Sequence, residues 1–128
     1  MEIYRPALLL GALYGGTAVA LGAVGSHVLA NSIRAEELVN AWDVGVRYQA
    51  WHALALLALA ALGPKVASGA ATWGFGVGVP LFSGSLYGLA LGWLPGKLGL
   101  LTPIGGLVLT AGWIALFVHA LQMRTGKA

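Results

Sequence analysis

Asp43 and Arg47 stand one helical turn apart, acid first, and Tyr48 and His52 repeat that spacing on the adjacent stripe. On a helix the first two would form an ion pair in its better orientation. A charge at membrane depth costs about 2.5 to 3.5 kcal/mol, so one that persists there usually faces protein or water and has a partner. The alternative is that Asp43, Arg47 and Tyr48 sit at headgroup level, with Trp42, Trp51 and Trp93 as an aromatic belt, and tie helix ends together. His27 and His52 raise three sharper chemistries: ligation of a b-type haem, binding of a metal, or a proton relay. Two ligands are too few for a closed structural zinc site, and no His-x-x-x-His or Glu-x-x-His spacing supports Asp43 as a third. The plainer alternative for either histidine is a hydrogen-bonded clamp between helices.

Ser83 or Ser85, His52 and Asp43 make a serine hydrolase on paper. The segment FSGSLY lacks the G-x-S-x-G elbow, however, and hydroxyls in membrane helices more often bond to neighbouring helices. The run GWLPGK is one residue short of a phosphate loop and has Leu98 where Ser or Thr is required. With no cysteine, the chain has no disulfide, thiolate zinc site, iron–sulfur ligation or cysteine nucleophile. No motif names a reaction, so a non-enzymatic protein without a resident cofactor is expected.

The elements that must position these residues follow from composition. Of 128 residues 59% are hydrophobic and 9% charged, against about 25% charged in a soluble domain. Four spans of about 20 residues each would leave material only for short loops and tails. The expected fold is all-α, an integral membrane four-helix bundle with short loops. The net charge of +3 comes from singly scattered Lys and Arg, which form no basic stripe, so no nucleic acid partner is expected. The lipid bilayer is the expected partner.

Spans are expected at about 6–29, 42–62, 68–93 and 103–123 in a single transmembrane domain. Residues 35–62 read as one long helix, amphipathic and then apolar, with Asn31 or Ser32 as a start signal and Gly63-Pro64 as its stop. Pro80 is expected to kink the third span. Helices in lipid associate through close backbone approach. Gly11, Gly15, Ala18, Gly22 and Gly25 are expected to line one packing face of the first helix, and Gly84, Gly88 and Gly92 one of the third.

With four spans, Arg5, Lys65, Arg124 and Lys127 share one side, and Arg34, Arg47 and Lys97 the other. The positive-inside rule then favours cytoplasmic termini by about one charge. His27, Asp43, Arg47, Tyr48, Gln49, His52, Ser83, Ser85, Tyr87 and Thr102 should converge on the outer end as one polar cluster, either binding or structural. His119 falls at the opposite end.

GAVGSH (22–27), VRYQAWHALALL (46–57), LFSGSLY (81–87), TPIGG (102–106) and the later Gly112-Trp113 occur in the order and spacing of one group. The chain resembles the DUF 423 family of small four-helix membrane proteins, which includes YgdD-like and YwdK-like bacterial proteins and relatives of transmembrane protein 256. The resemblance covers almost the whole chain. It implies a bacterial inner-membrane protein, or an organelle protein in eukaryotes, with no assigned activity. The expected role is a non-enzymatic accessory subunit of a larger membrane complex, or a ligand- or lipid-binding bundle. The alternatives are a small transporter or channel component, which would need a homo-oligomer, and a haem- or metal-binding protein using His27 and His52.

Overall fold

The computed structural model describes residues 2–29, 36–67, 69–93 and 99–124. Expectations for Asn31, Ser32, Arg34, Lys97 and Lys127 lie outside these residues. Among them the chain forms four helical rods. The first is α1 (Arg5–Val24), continued by a π-helical turn (Gly25–Leu29), and the second is α2 (Glu36–Leu62). The third runs through α3 (Gly69–Val79), a second π-helical turn (Pro80–Gly84) and α4 (Ser85–Ala90); α5 (Leu101–Gln122) is the fourth.

Consecutive rods run antiparallel, and glycines set how closely they approach. A β-carbon at Gly11 would come 2.9 Å from Leu57 Cγ and one at Gly25 2.7 Å from Trp42 Cδ1, while Gly22 faces Val46; α1 therefore descends along α2. This is the face expected for the first helix. Between α3 and α5 the approach is tighter, because a β-carbon at Gly74 would lie 2.9 Å from the Cα of Gly112 and one at Gly78 2.6 Å from Leu109 Cδ2. At Gly105 it would fall on the backbone of Leu81 and Phe82.

The stripe expected on the third helix is not a packing face as a whole. Gly84 meets nothing within 4 Å, and Gly92 has φ +73° at the helix stop; of the three only Gly88 is buried. The π turn explains this, because i, i+4 spacing holds a face only while the helix keeps 3.6 residues per turn.

Gly63 and Pro64 end α2 as expected. Gly63 adopts φ +83°, and a β-carbon there would press on the Glu2 carbonyl 2.6 Å away. Tyr4 N–H donates to Ala60 O, satisfying one of the carbonyls that a helix end leaves open.

The core is Leu56, Leu59, Phe75, Val79 and Leu109, with alanines where rods approach closely. Outside it, Leu9, Leu13, Val19, Leu107, Ile114, Phe117 and Leu121 are exposed. An apolar surface this extensive is unstable in water. Two helical stretches, Arg5–His27 and Leu101–Gln122, are long and apolar enough to cross a membrane. Of the expected belt, Trp51 and Trp93 are exposed, but Trp42 is buried: its indole donates to Leu21 O at 2.8 Å and packs on Tyr87 with ring centroids 4.6 Å apart.

Pro80 does more than interrupt the rod. It has no N–H, so the carbonyl of Gly76, four residues earlier, loses its helical donor. The Tyr14 hydroxyl donates to that carbonyl from α1. Tyr14→Phe should therefore lower stability by about 1 to 3 kcal/mol, the cost of an unpaired buried acceptor. In a Pro80→Ala background, where the N–H returns, the same change should cost under about 1 kcal/mol. Thermal unfolding of the four proteins in one detergent would show this; equal losses in both backgrounds would disprove the pairing.

Candidate functional site

Gln49 is the polar centre of the bundle. It lies in mid-α2, is 4% exposed, and sits among apolar residues. Its amide reaches two other rods: Nε2 donates to Tyr14 O at 3.0 Å and to Thr17 Oγ1 at 2.7 Å, and Oε1 accepts from the Tyr87 hydroxyl at 2.8 Å. The Tyr14 carbonyl can only accept, so the amide orientation is fixed and the direction of each other bond follows. Thr17, accepting from Gln49, donates to Leu13 O at 2.7 Å.

Local structure aims these groups. Gly45, one turn before Gln49, carries no β-carbon where the Tyr87 ring passes; one there would lie 2.8 Å from Tyr87 Cε1. Ser83, inside the π turn, donates to Gly45 O at 2.6 Å and ties that turn to α2. Above the amide, a groove of about 270 Å³ lies between α1 and the third rod, lined by Leu13, Tyr14, Thr17, Leu21, Gln49, Val79, Pro80, Gly84 and Tyr87. Its walls are apolar, and polar groups lie among its lining residues.

The other expected residues do not join this centre. Ser85 and Thr102 pair with each other: Ser85 Oγ donates to Phe82 O at 2.8 Å, so Thr102 supplies the hydrogen of their 2.6 Å contact. His52 belongs to an aromatic group with Phe75, Trp113 and Tyr48. Trp113 Nε1–H donates to His52 Nε2 at 3.0 Å, which leaves Nδ1 as the protonated nitrogen, donating to Tyr48 O at 2.6 Å. Both ring nitrogens are engaged.

His27 is exposed in the first π turn, level with Trp42, whereas His52 lies ten residues further along α2. At 1.5 Å per residue they are about 15 Å apart along the axis. The expected haem or metal ligand pair is not formed, and among the described residues no group of three His, Asp or Glu could hold a metal ion. The hydrolase constellation is absent too, with Ser83 bonded to Gly45 and His52 to Trp113.

Asp43 and Arg47 are exposed on α2, and no ion pair joins them among the described residues. The single outer cluster therefore resolves into separate groups distributed along the bundle. His119 lies at the other end, with Nε2 donating to Lys65 O at 3.2 Å. Sequence reasoning missed Tyr14, Thr17 and Trp113. The signal available for Tyr14 was Pro80, which requires a substitute donor from elsewhere.

Glycine-set helix contacts, lipid-suited outer faces and a polar centre bonded across three rods define the class: an all-α integral membrane four-helix bundle. The chain belongs to the DUF423 family, described as proteins of unknown function, whose model matches residues 21–106. It is 40% identical over 121 residues to the UPF0382 inner membrane protein YgdD of Escherichia coli (strain K12), covering 91% of this chain and 90% of that protein. To the UPF0382 membrane protein YwdK of Bacillus subtilis (strain 168) it is 38% identical over 119 residues, covering 90% and 95%. To the UPF0382 membrane protein SH2409 of Staphylococcus haemolyticus (strain JCSC1435) it is 37% identical over 117 residues, covering 90% and 94%. No solved structure matches the chain.

Proposed function

We propose that this chain is a non-enzymatic bundle of the bacterial inner membrane that binds a small amphiphile, a lipid or another apolar ligand with a polar head, in the groove between α1 and the third rod. The observation that carries this reading is the groove itself, with Gln49 and Tyr87 among its apolar lining. Four crossings with both termini cytoplasmic fit the charges, since Arg5, Lys65 and Arg124 fall at one end.

The glycines favour this reading over an accessory subunit. That role rested on glycine faces free to pack against foreign helices, yet Gly11, Gly25, Gly45, Gly74, Gly78, Gly105 and Gly112 all close on this chain's own atoms. A transporter or channel is less favoured for a similar reason, because Leu56, Phe75 and Val79 fill the interior.

Gly84 provides the test. It lines the groove, has helical φ −60° and ψ −41°, and has no neighbour near its missing β-carbon. Gly84→Phe should fill the groove without disturbing any contact. Native mass spectrometry of gently extracted protein should find a bound small molecule on the unaltered chain, with occupancy about tenfold lower in the variant and the same unfolding temperature. Equal occupancy in a folded variant would overturn the groove as the site.

A further inference from the structure

We infer that the ligand presents a neutral hydrogen-bond donor, and that it is a membrane lipid with a free hydroxyl rather than one ending in phosphate or carboxylate. This rests on the groove reading and names the chemistry that the groove accepts.

The argument is an accounting of hydrogens among the lining residues. Both Nε2 hydrogens of Gln49 are engaged, by Tyr14 O and Thr17 Oγ1. The Tyr87 hydrogen goes to Gln49 Oε1, the Thr17 hydrogen to Leu13 O and the Tyr14 hydrogen to Gly76 O. Backbone carbonyls at Tyr14, Leu13 and Gly76 can only accept, so these directions cannot reverse together. Lone pairs remain, at the Tyr87 oxygen, the Tyr14 oxygen and the second site of Gln49 Oε1. No lining residue is cationic.

A phosphate or carboxylate in this groove would meet acceptors and no donor, an uncompensated burial of charge. A hydroxyl would give its hydrogen to one of the free lone pairs while its chain lay along Leu13, Leu21 and Val79. An ether of the same chain has the same shape and no hydrogen to give.

The experiment uses the full chain in phosphatidylcholine nanodiscs and three photoactivatable probes of one chain length: a long-chain alcohol, its methyl ether, and the fatty acid at alkaline pH. Labelled positions are read by mass spectrometry after digestion. The alcohol should label residues 13–21 and 79–87 about tenfold more than either analogue, the value of one added hydrogen bond in an apolar site. Tyr87→Phe should bring the alcohol down toward the ether. If that variant does not fold, the three probes on the unaltered chain still decide.

Unlabelled diacylglycerol and unlabelled polyprenol then serve as competitors. Competition by one identifies a glyceride or an isoprenoid source, and competition by neither overturns a lipid hydroxyl. Equal groove labelling by all three probes would overturn the donor requirement and leave the groove reading standing. Labelling of the groove no stronger than that of the outer face of α5 by every probe would overturn both.

Discussion

Gly105→Leu should be the most damaging single substitution in the bundle, with a loss of about 3 kcal/mol or more, the upper part of the range for overpacking. The reason is what the new side chain would meet. At most glycines here a β-carbon would press on a side chain that can turn aside, as at Gly11 against Leu57 or Gly78 against Leu109. At Gly105 it would meet the backbone of Leu81 and Phe82, inside the π turn, and no rotamer change relieves that. The fourth rod would have to move away from the third, and its other seat, Gly112 against Phe75, would open with it. Thermal unfolding in detergent should show a large drop for Gly105→Leu and a negligible one for Gly16→Leu, whose position is open. Similar losses at both sites would mean that helix propensity, not helix approach, sets the cost.

Gln49→Leu should come next, with a different signature. It keeps the volume roughly constant and removes three bonds that join α1, α2 and α4. Interhelical hydrogen bonds in membrane proteins average about 0.6 kcal/mol each, so the loss should be near 2 kcal/mol, rising if Tyr87 finds no other acceptor. The loss should also be non-additive. Once Gln49 is leucine, Tyr87→Phe should cost almost nothing further, because its donor already lacks its partner. Additive losses in the double variant would show that Tyr87 acts through its ring packing on Trp42 rather than through the amide.

The sequence was informative where a local rule decided the outcome. Gly63-Pro64 stops α2 because a left-handed cap and a missing donor act within a few residues. Gly11, Gly22 and Gly25 face α2 because their spacing holds one side of an uninterrupted helix. Beyond Pro80 the same rule failed for Gly84 and Gly92, since the wider turn resets the phase. The polar residues show the other limit. Gln49, Tyr87, Ser85 and Thr102 are conspicuous in an apolar chain, but which of them meet depends on how the rods are rotated about their axes. Spacing within one helix does not specify that rotation. Thus Ser85 met Thr102 and Gln49 met Tyr87, while Asp43 and Arg47, well spaced for a pair, point outward. Trp113 escaped notice because an indole in an apolar helix resembles lipid-facing surface until a partner such as His52 is found.

The π turn at Pro80–Gly84 makes the third rod sensitive to register by a single residue. An α-helix advances about 100° per residue, so removing one residue from this turn would let the ladder close as ordinary helix while rotating everything after it by roughly that angle. Tyr87 would swing away from Gln49 and Ser85 away from Thr102, in a rod still helical from end to end. A one-codon deletion here would thus preserve hydropathy, helix content and membrane insertion while disconnecting the polar centre. Among homologous genes, length differences of one codon should be tolerated in the tails long before they are tolerated between Val79 and Ser85.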